Sequence, residues 1–158
     1  CQGGTVWLAY DLERARLIKC WQADKSGKGL LRNAFVTLSK GKTLWKPSDA
    51  NAGGWRLLEQ PDADLAWRYL GCKDQRAHIL LTWEVRHQER SWQVEERAPL
   101  AKTEGGRIIR ELRVSGLKNA DKLVPPELQS PAWKLQTRDS QAVAAIATGD
   151  WHQLILNP

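Results

Sequence analysis

A two-residue hydrophobic alternation, broken at short intervals by turn residues, recurs along this chain and constrains its fold more than any other feature. Its cleanest instance is 107–114, where Ile108, Arg110, Leu112 and Val114 alternate with Ile109, Glu111 and Arg113. Successive side chains of a strand point to opposite faces, so this period sets one group against a core and the other toward solvent. A helix needs apolar residues roughly every three to four positions. Spacing of that kind starts in 11–19 but does not persist.

The alternation predicts about ten short strands. Residues 5–11 form an apolar opening strand, and 16–22 alternates around Leu17 and Trp21. In 34–39, Ala34, Val36 and Leu38 share a face, and Lys40-Gly41-Lys42 reads as a hairpin turn into 43–46. The polar stretch 47–54 is a loop, followed by a short strand at 55–59. Residues 65–72 turn through 73–76 into 78–86, where Ile79, Leu81, Trp83 and Val85 alternate with polar partners. The next turn, around 87–89, returns as 91–96. Beyond 107–114 the tail offers 132–137, 142–147 and 151–156. Short strands with turn signals between them predict an all-β fold, an antiparallel β-sandwich or barrel built from hairpins.

A chain of 158 residues has one-domain length and can bury a core without staples. No repeat, low-complexity tract or linker divides it, so 1–4 reads as a tether and 5–158 as a single β-rich domain. Its net charge of +6 is spread in both signs along the chain, and the densest basic stretch, 40–46, is short. A nucleic-acid binder concentrates positive charge on one face, so nucleic acid is not an expected partner. No apolar run approaches the ~18 residues of a membrane span, and no transmembrane segment is expected.

The chain opens Cys1-Gln2-Gly3-Gly4 and contains no Met. A mature bacterial lipoprotein starts with a lipid-bearing Cys and a small polar tether, which makes Cys1 a candidate for lipidation. The other reading is a boundary within a longer chain. Both fit an exported protein of the periplasm, outer-membrane surface or extracellular space, where disulfides form. Cys20 and Cys72 both fall within expected strands. They are either a disulfide or two separate thiols packed as small hydrophobes.

Tests for catalysis give bland answers. Without a C-x-x-C, a dithiol redox motif, a zinc knuckle and a covalent haem site are not expected. His78, His87 and His152 lack metal-ligand spacing. Asp150 and His152 share a face across Trp151, half of a triad, with no nucleophile motif to complete it. Glu84 with Glu95 and Glu96 could face one another across a hairpin as an acid and base, but outward pairing with Arg86, Arg90 or Arg97 is the commoner arrangement. No catalytic residue, metal ligand or cofactor is assigned.

Trp dominates the aromatic set, with nine against two Tyr and one Phe. Trp67 and Trp83 lie among alternating apolar residues and point inward. Trp45 and Trp55 flank the 47–54 loop, which also carries Asp49 and Asn51. These four are the candidate ligand- or partner-binding residues. A Trp at a loop mouth can stack on a sugar or a partner side chain, or it can clasp two strand ends together.

The run from Thr5 to Glu13, then Leu17-Ile18-Lys19-Cys20-Trp21-Gln22, resembles the opening of a family of accessory domains. These occur in large secreted bacterial proteins beside c-type cytochrome and sorbosone-dehydrogenase-like modules. The likeness continues in His78 to Val85, Val94-Glu95-Glu96, and Gly105-Gly106-Arg107 to Leu112. It covers about 5–114 and departs after Trp21, where a Gly-rich aromatic stretch is missing. It implies an exported β-rich companion domain and carries over no catalytic residue. The expected function is a non-catalytic accessory or interaction domain of a larger redox or carbohydrate-processing assembly, with a protein partner or neighbouring module. The alternative is a carbohydrate-binding or carbohydrate-active β-sandwich that holds a glycan through its loop-mouth Trp residues.

Overall fold

The computed structural model describes residues 2–3, 6–32, 36–48, 54–76, 78–99, 107–118 and 121–157. In chain order its strands are β1 (Gln2–Gly3), β2 (Val6–Asp11), β3 (Arg16–Ala23), β4 (Leu30–Arg32), β5 (Thr37–Ser39), β6 (Gly41–Trp45) and β7 (Arg56–Leu57). They continue with β8 (Ala66–Gln75), β9 (His78–His87), β10 (Arg90–Pro99), β11 (Ile108–Ser115), β12 (Leu123–Val124), β13 (Trp133–Thr137) and β14 (Trp151–Leu156). A 3-10 turn, Pro126–Gln129, follows β12.

The all-β expectation holds. A six-stranded sheet runs β13-β14-β11-β10-β9-β8, and a four-stranded sheet runs β1-β2-β3-β6. Two ribbons, β12-β7 and β4-β5, complete the described pairings, and every strand pair is antiparallel. Alternation assigns the inward faces. Leu81, Trp83 and Val85 of β9 join Trp92, Val94 and Ala98 of β10 and Ile108, Leu112 and Val114 of β11. These share one core with Val6 and Leu8 of β2 and Leu17 and Cys20 of β3. The β2–β3 turn closes over that core, because the ring N–H of Trp83 donates to the Leu12 carbonyl at 2.9 Å and that of Trp55 to the Ala15 carbonyl at 2.6 Å. Each bond satisfies a polar group that burial would otherwise penalise.

Several elements differ from the sequence reading. Lys40-Gly41-Lys42 is not a hairpin turn, since β5 pairs with β4 while β6 pairs with β3. Gly41 lies inside β6 at φ 132°, and a Cβ there would stand 1.9 Å from the Gln22 carbonyl oxygen. Close backbone approach, rather than a turn, requires that glycine. The turn placed at 73–76 begins later, because Lys73, Asp74 and Gln75 stay in the ladder opposite Leu80, Ile79 and His78. Residues 142–147 are not a strand. Ala142 bridges to Gln136, Ile146 to Leu123 and Thr148 to Val114, so this segment crosses three strands instead of following one. Of 34–39, only 36–39 lies within the described residues, with strand at Thr37–Ser39.

Candidate ligand-binding cleft

Trp45 ends β6 half-buried, with its ring edge-on to Trp133 of β13 at a centroid distance of 5.5 Å and an interplanar angle of 89°. There the chain leaves the sheet through Pro47 and Ser48 and meets the Pro126–Gln129 turn. Between them opens a cleft of about 340 Å³, walled by Trp45, Pro47, Ser48, Glu127, Gln129 and Ser130. A larger groove of about 590 Å³ runs beside β7 and β13, but its walls are mainly aliphatic, such as Leu57, Val124 and Leu135.

The other candidates are scattered. Asp49, Asn51 and Cys1 lie outside the described residues. Trp55 is buried against Trp67 at 5.4 Å, with its N–H on the Ala15 carbonyl, so it clasps the core and offers no stacking face. Of the two readings of Cys20 and Cys72, a disulfide or separate buried thiols, the structure has two separate free thiols, of which only Cys20 is buried. Cys20 is buried in the four-stranded sheet opposite Leu8 and Trp45, while Cys72 is exposed on β8, an edge of the other sheet. Burial pushes the Cys20 thiol up to about 12 against the opposing pull of Arg110, which keeps it protonated and unreactive.

Register splits the carboxylate trio: Glu84 and Glu95, opposite Gln93 and Thr82, are diagonal neighbours on one face, and Glu96, opposite Leu81, is on the other. Glu84 binds Arg68 and Arg86 at 3.0 Å each, and Glu95 accepts from Arg113 at 2.8 Å. His152 is buried and its Nδ1 meets the backbone carbonyl of Asp150 at 3.1 Å, so the half-triad is not assembled.

Glu96 leads to the feature that sequence reasoning missed. It sits inward on β10, facing Arg110 on the inward side of β11. Arg110 is fully buried and donates to Glu96 through Nε at 2.6 Å and Nη2 at 2.7 Å, a bidentate fork. Its Nη1 donates at 2.7 Å to Oε1 of Glu127, which also accepts the Leu17 backbone N–H at 3.1 Å. The Tyr10 hydroxyl donates to Glu96. Burial acts against charge on Arg110, yet Glu127 and Glu96 outweigh it and hold the guanidinium protonated, well above its ordinary pKa. Burial, then the charge on Glu96, likewise pushes the Tyr10 phenol well above its usual value.

Oxygen by oxygen, the cluster is uneven. Both oxygens of Glu96 accept from Arg110, whereas Oε2 of Glu127 is buried with no hydrogen-bond partner among the described residues. Glu127 is 3% exposed and lines the cleft. Comparison with protein-family models, with curated proteins and with solved structures finds no match. Chemically, the cleft is lined by a Trp ring, by hydroxyl and amide side chains, and by Glu127, whose unpartnered oxygen is itself buried.

Part of this was visible in the sequence. Arg110 falls on the apolar side of the cleanest alternation, and Glu96 falls in phase with Trp92 and Val94. A charge in phase with a buried set predicts a buried ion pair, since an unpaired one is prohibitively costly. Glu127 carries no such signal, because it follows Pro125-Pro126 in a turn.

Proposed function

We propose that this chain is a non-catalytic recognition domain, accessory to a larger exported redox or carbohydrate-processing assembly, and that the Trp45–Glu127 cleft is its recognition site. One observation carries the reading. A cleft beside the Pro126–Gln129 turn is walled by a half-buried Trp, by Glu127, which Arg110 and Leu17 hold in place, and by hydroxyl and amide side chains. An aromatic wall beside a few fixed polar groups is the usual make-up of a ligand site. Glu96, the other carboxylate of the cluster, is sealed behind Arg110, which suits binding better than acid–base chemistry.

The test is to follow the indole N–H resonances during titration with neighbouring modules of such an assembly and with oligosaccharides. Trp45 is expected to shift while Trp83, bonded inside the core, stays fixed. Ligands that move only Trp151, on the opposite face of the six-stranded sheet, would displace the site from this cleft. Turnover of a glycoside by the isolated chain would end the non-catalytic reading.

A further inference from the structure

Along the sequence the +6 charge looks dispersed, but one segment holds all of it. Residues 25–48 carry Lys25, Lys28, Arg32, Lys40, Lys42 and Lys46, six of the 24 Lys and Arg, and none of the 18 Asp and Glu, so the remainder of the chain balances. All six of these side chains are exposed. We infer that this segment, the β4–β5 ribbon and its basic flanks, docks the chain on a membrane surface that carries anionic phospholipid. Leu31, Val36 and Leu38 enter the headgroup layer, and none of the three lines the Trp45–Glu127 cleft.

Leu31, Val36 and Leu38, at 51%, 54% and 52%, are the most exposed large apolar side chains among the described residues. Leu31 and Leu38 lie opposite each other in the ribbon, so they share a face, and Val36 precedes Leu38 by two. Leu30 and Ser39 pair on the other face and are half-buried. There the Lys19 ammonium donates to the Ser39 hydroxyl. At the base, the Gly29 carbonyl accepts from the Lys40 N–H at 2.8 Å and from the Trp21 indole at 2.7 Å. Gly29 also lies so close to Trp7 that a Cβ would stand 1.7 Å from its ring nitrogen. The base is thereby fixed against the four-stranded sheet, and the Leu31–Leu38 face is left in solvent.

An aliphatic face flanked by cations matches a layer with anionic heads over apolar chains. Each Lys or Arg near such a surface is worth about fivefold in partitioning. The aliphatic side chains leave water as they enter the acyl boundary. Lys40 stands 2.9 Å from Asp24, so the attraction rests mainly on the other five cations. Nucleic acid would satisfy those cations, but aliphatic groups offer its bases neither a stacking surface nor hydrogen bonds. An acidic protein would need, besides its carboxylates, a groove shaped to this face. A fluid layer needs no such shape.

The experiment floats the whole chain with vesicles of phosphatidylcholine alone or with about one-third phosphatidylglycerol. Binding to the anionic vesicles should be at least tenfold tighter than to the neutral ones, and should weaken in molar salt. Leu31→Ser combined with Leu38→Ser should weaken it at least tenfold with the charge unchanged. Lys25→Gln, Lys28→Gln and Lys42→Gln together should do at least as much with the aliphatic face intact. All five side chains are exposed, and unchanged melting temperatures verify both folds. In Leu38→Trp, brominated acyl chains should quench the added fluorescence, a readout of insertion that needs neither combined variant. Absence of binding to anionic vesicles, binding that survives either combined variant, or an unquenched Leu38→Trp overturns the inference. If only the lysine variant loses binding, and the parent chain holds a single-stranded oligonucleotide as tightly as vesicles, the segment is a nucleic-acid surface instead.

Discussion

Strands β10 and β11 carry the same kinds of charge on two faces, and the faces behave as different materials. Inward, Glu96 and Arg110 are 1% and 0% exposed and share their charges with Glu127 and Tyr10. One residue along, Arg97 meets Glu111 at 3.4 Å and Arg113 meets Glu95, with side chains 13–36% exposed. Arg97 and Arg113 also stand over the Trp151 ring, at 3.9 and 4.7 Å. The outer ladder is screened by water and salt and pays side-chain entropy for each contact, so its pairs contribute little. The inner cluster is sealed from the surface, and its charges are committed to one geometry, in which one oxygen of Glu127 is left without a partner among the described residues.

Removing Arg110 should break the contrast most visibly. Arg110→Met leaves Glu96 and Glu127 buried without their counter-charge, and a loss of about 3–5 kcal/mol is expected from urea denaturation. A loss below about 1 kcal/mol would mean that water reaches the cluster.

Alkaline pH should sharpen it next. The Cys20 thiol is raised from 9.0 to about 12, so its contribution is fully present below pH 9 and lost as pH rises through 12. Unfolded chains ionise within that window while the folded state stays protonated. Stability should therefore decline from pH 9 upward, and Cys20→Ala should flatten the decline without abolishing it, because Tyr10 is shifted in the same direction.

On the outer face, Arg113→Gln should cost no more than about 1 kcal/mol. Its effect should shrink further in molar salt, whereas that of Arg110→Met should not. An equal response of both to salt would erase the distinction between the faces.

The smallest effect belongs to Asp24, a partly exposed carboxylate. Its pKa falls to about 2 through the Ser26 hydroxyl and Lys40, which lies 2.9 Å away. Its contribution is present above the ordinary value of 3.8 and lost as pH falls through about 2. Asp24→Asn should leave the acid limb of the stability curve almost unmoved.

How much of this was legible varies by element. The bounds of β14, 151–156, and the two faces of β11 follow directly from alternation. The hairpin turns were unevenly legible. The turn at 87–89 was placed, with Gln88 at φ 55°, whereas the one expected at 73–76 begins later and turns through Arg76 at φ 46°, a region glycine or asparagine would have advertised. Within the site, Trp45 and its neighbours Pro47 and Ser48 were marked by a loop beside an aromatic residue. Trp55 looked equivalent in sequence, but its indole is drawn inward by the Ala15 carbonyl, from 40 residues away.

Strand periodicity is a local property, so the sequence by itself determined the longest strands, such as β9, β11 and β14, and which parity of each is apolar, but not 142–147, which alternates without forming a strand. It also put Glu96 and Arg110 in phase with buried neighbours, a conflict that only an ion pair could resolve. Tertiary structure decided everything that depends on distant segments meeting. Tyr10 reaches Glu96 across 86 residues, and the Leu17 N–H reaches Glu127 across 110. No local pattern encodes such meetings, because they arise when two sheets and a proline-led turn close over one core. Their closure alone made Glu127 an anchored carboxylate with an oxygen to spare.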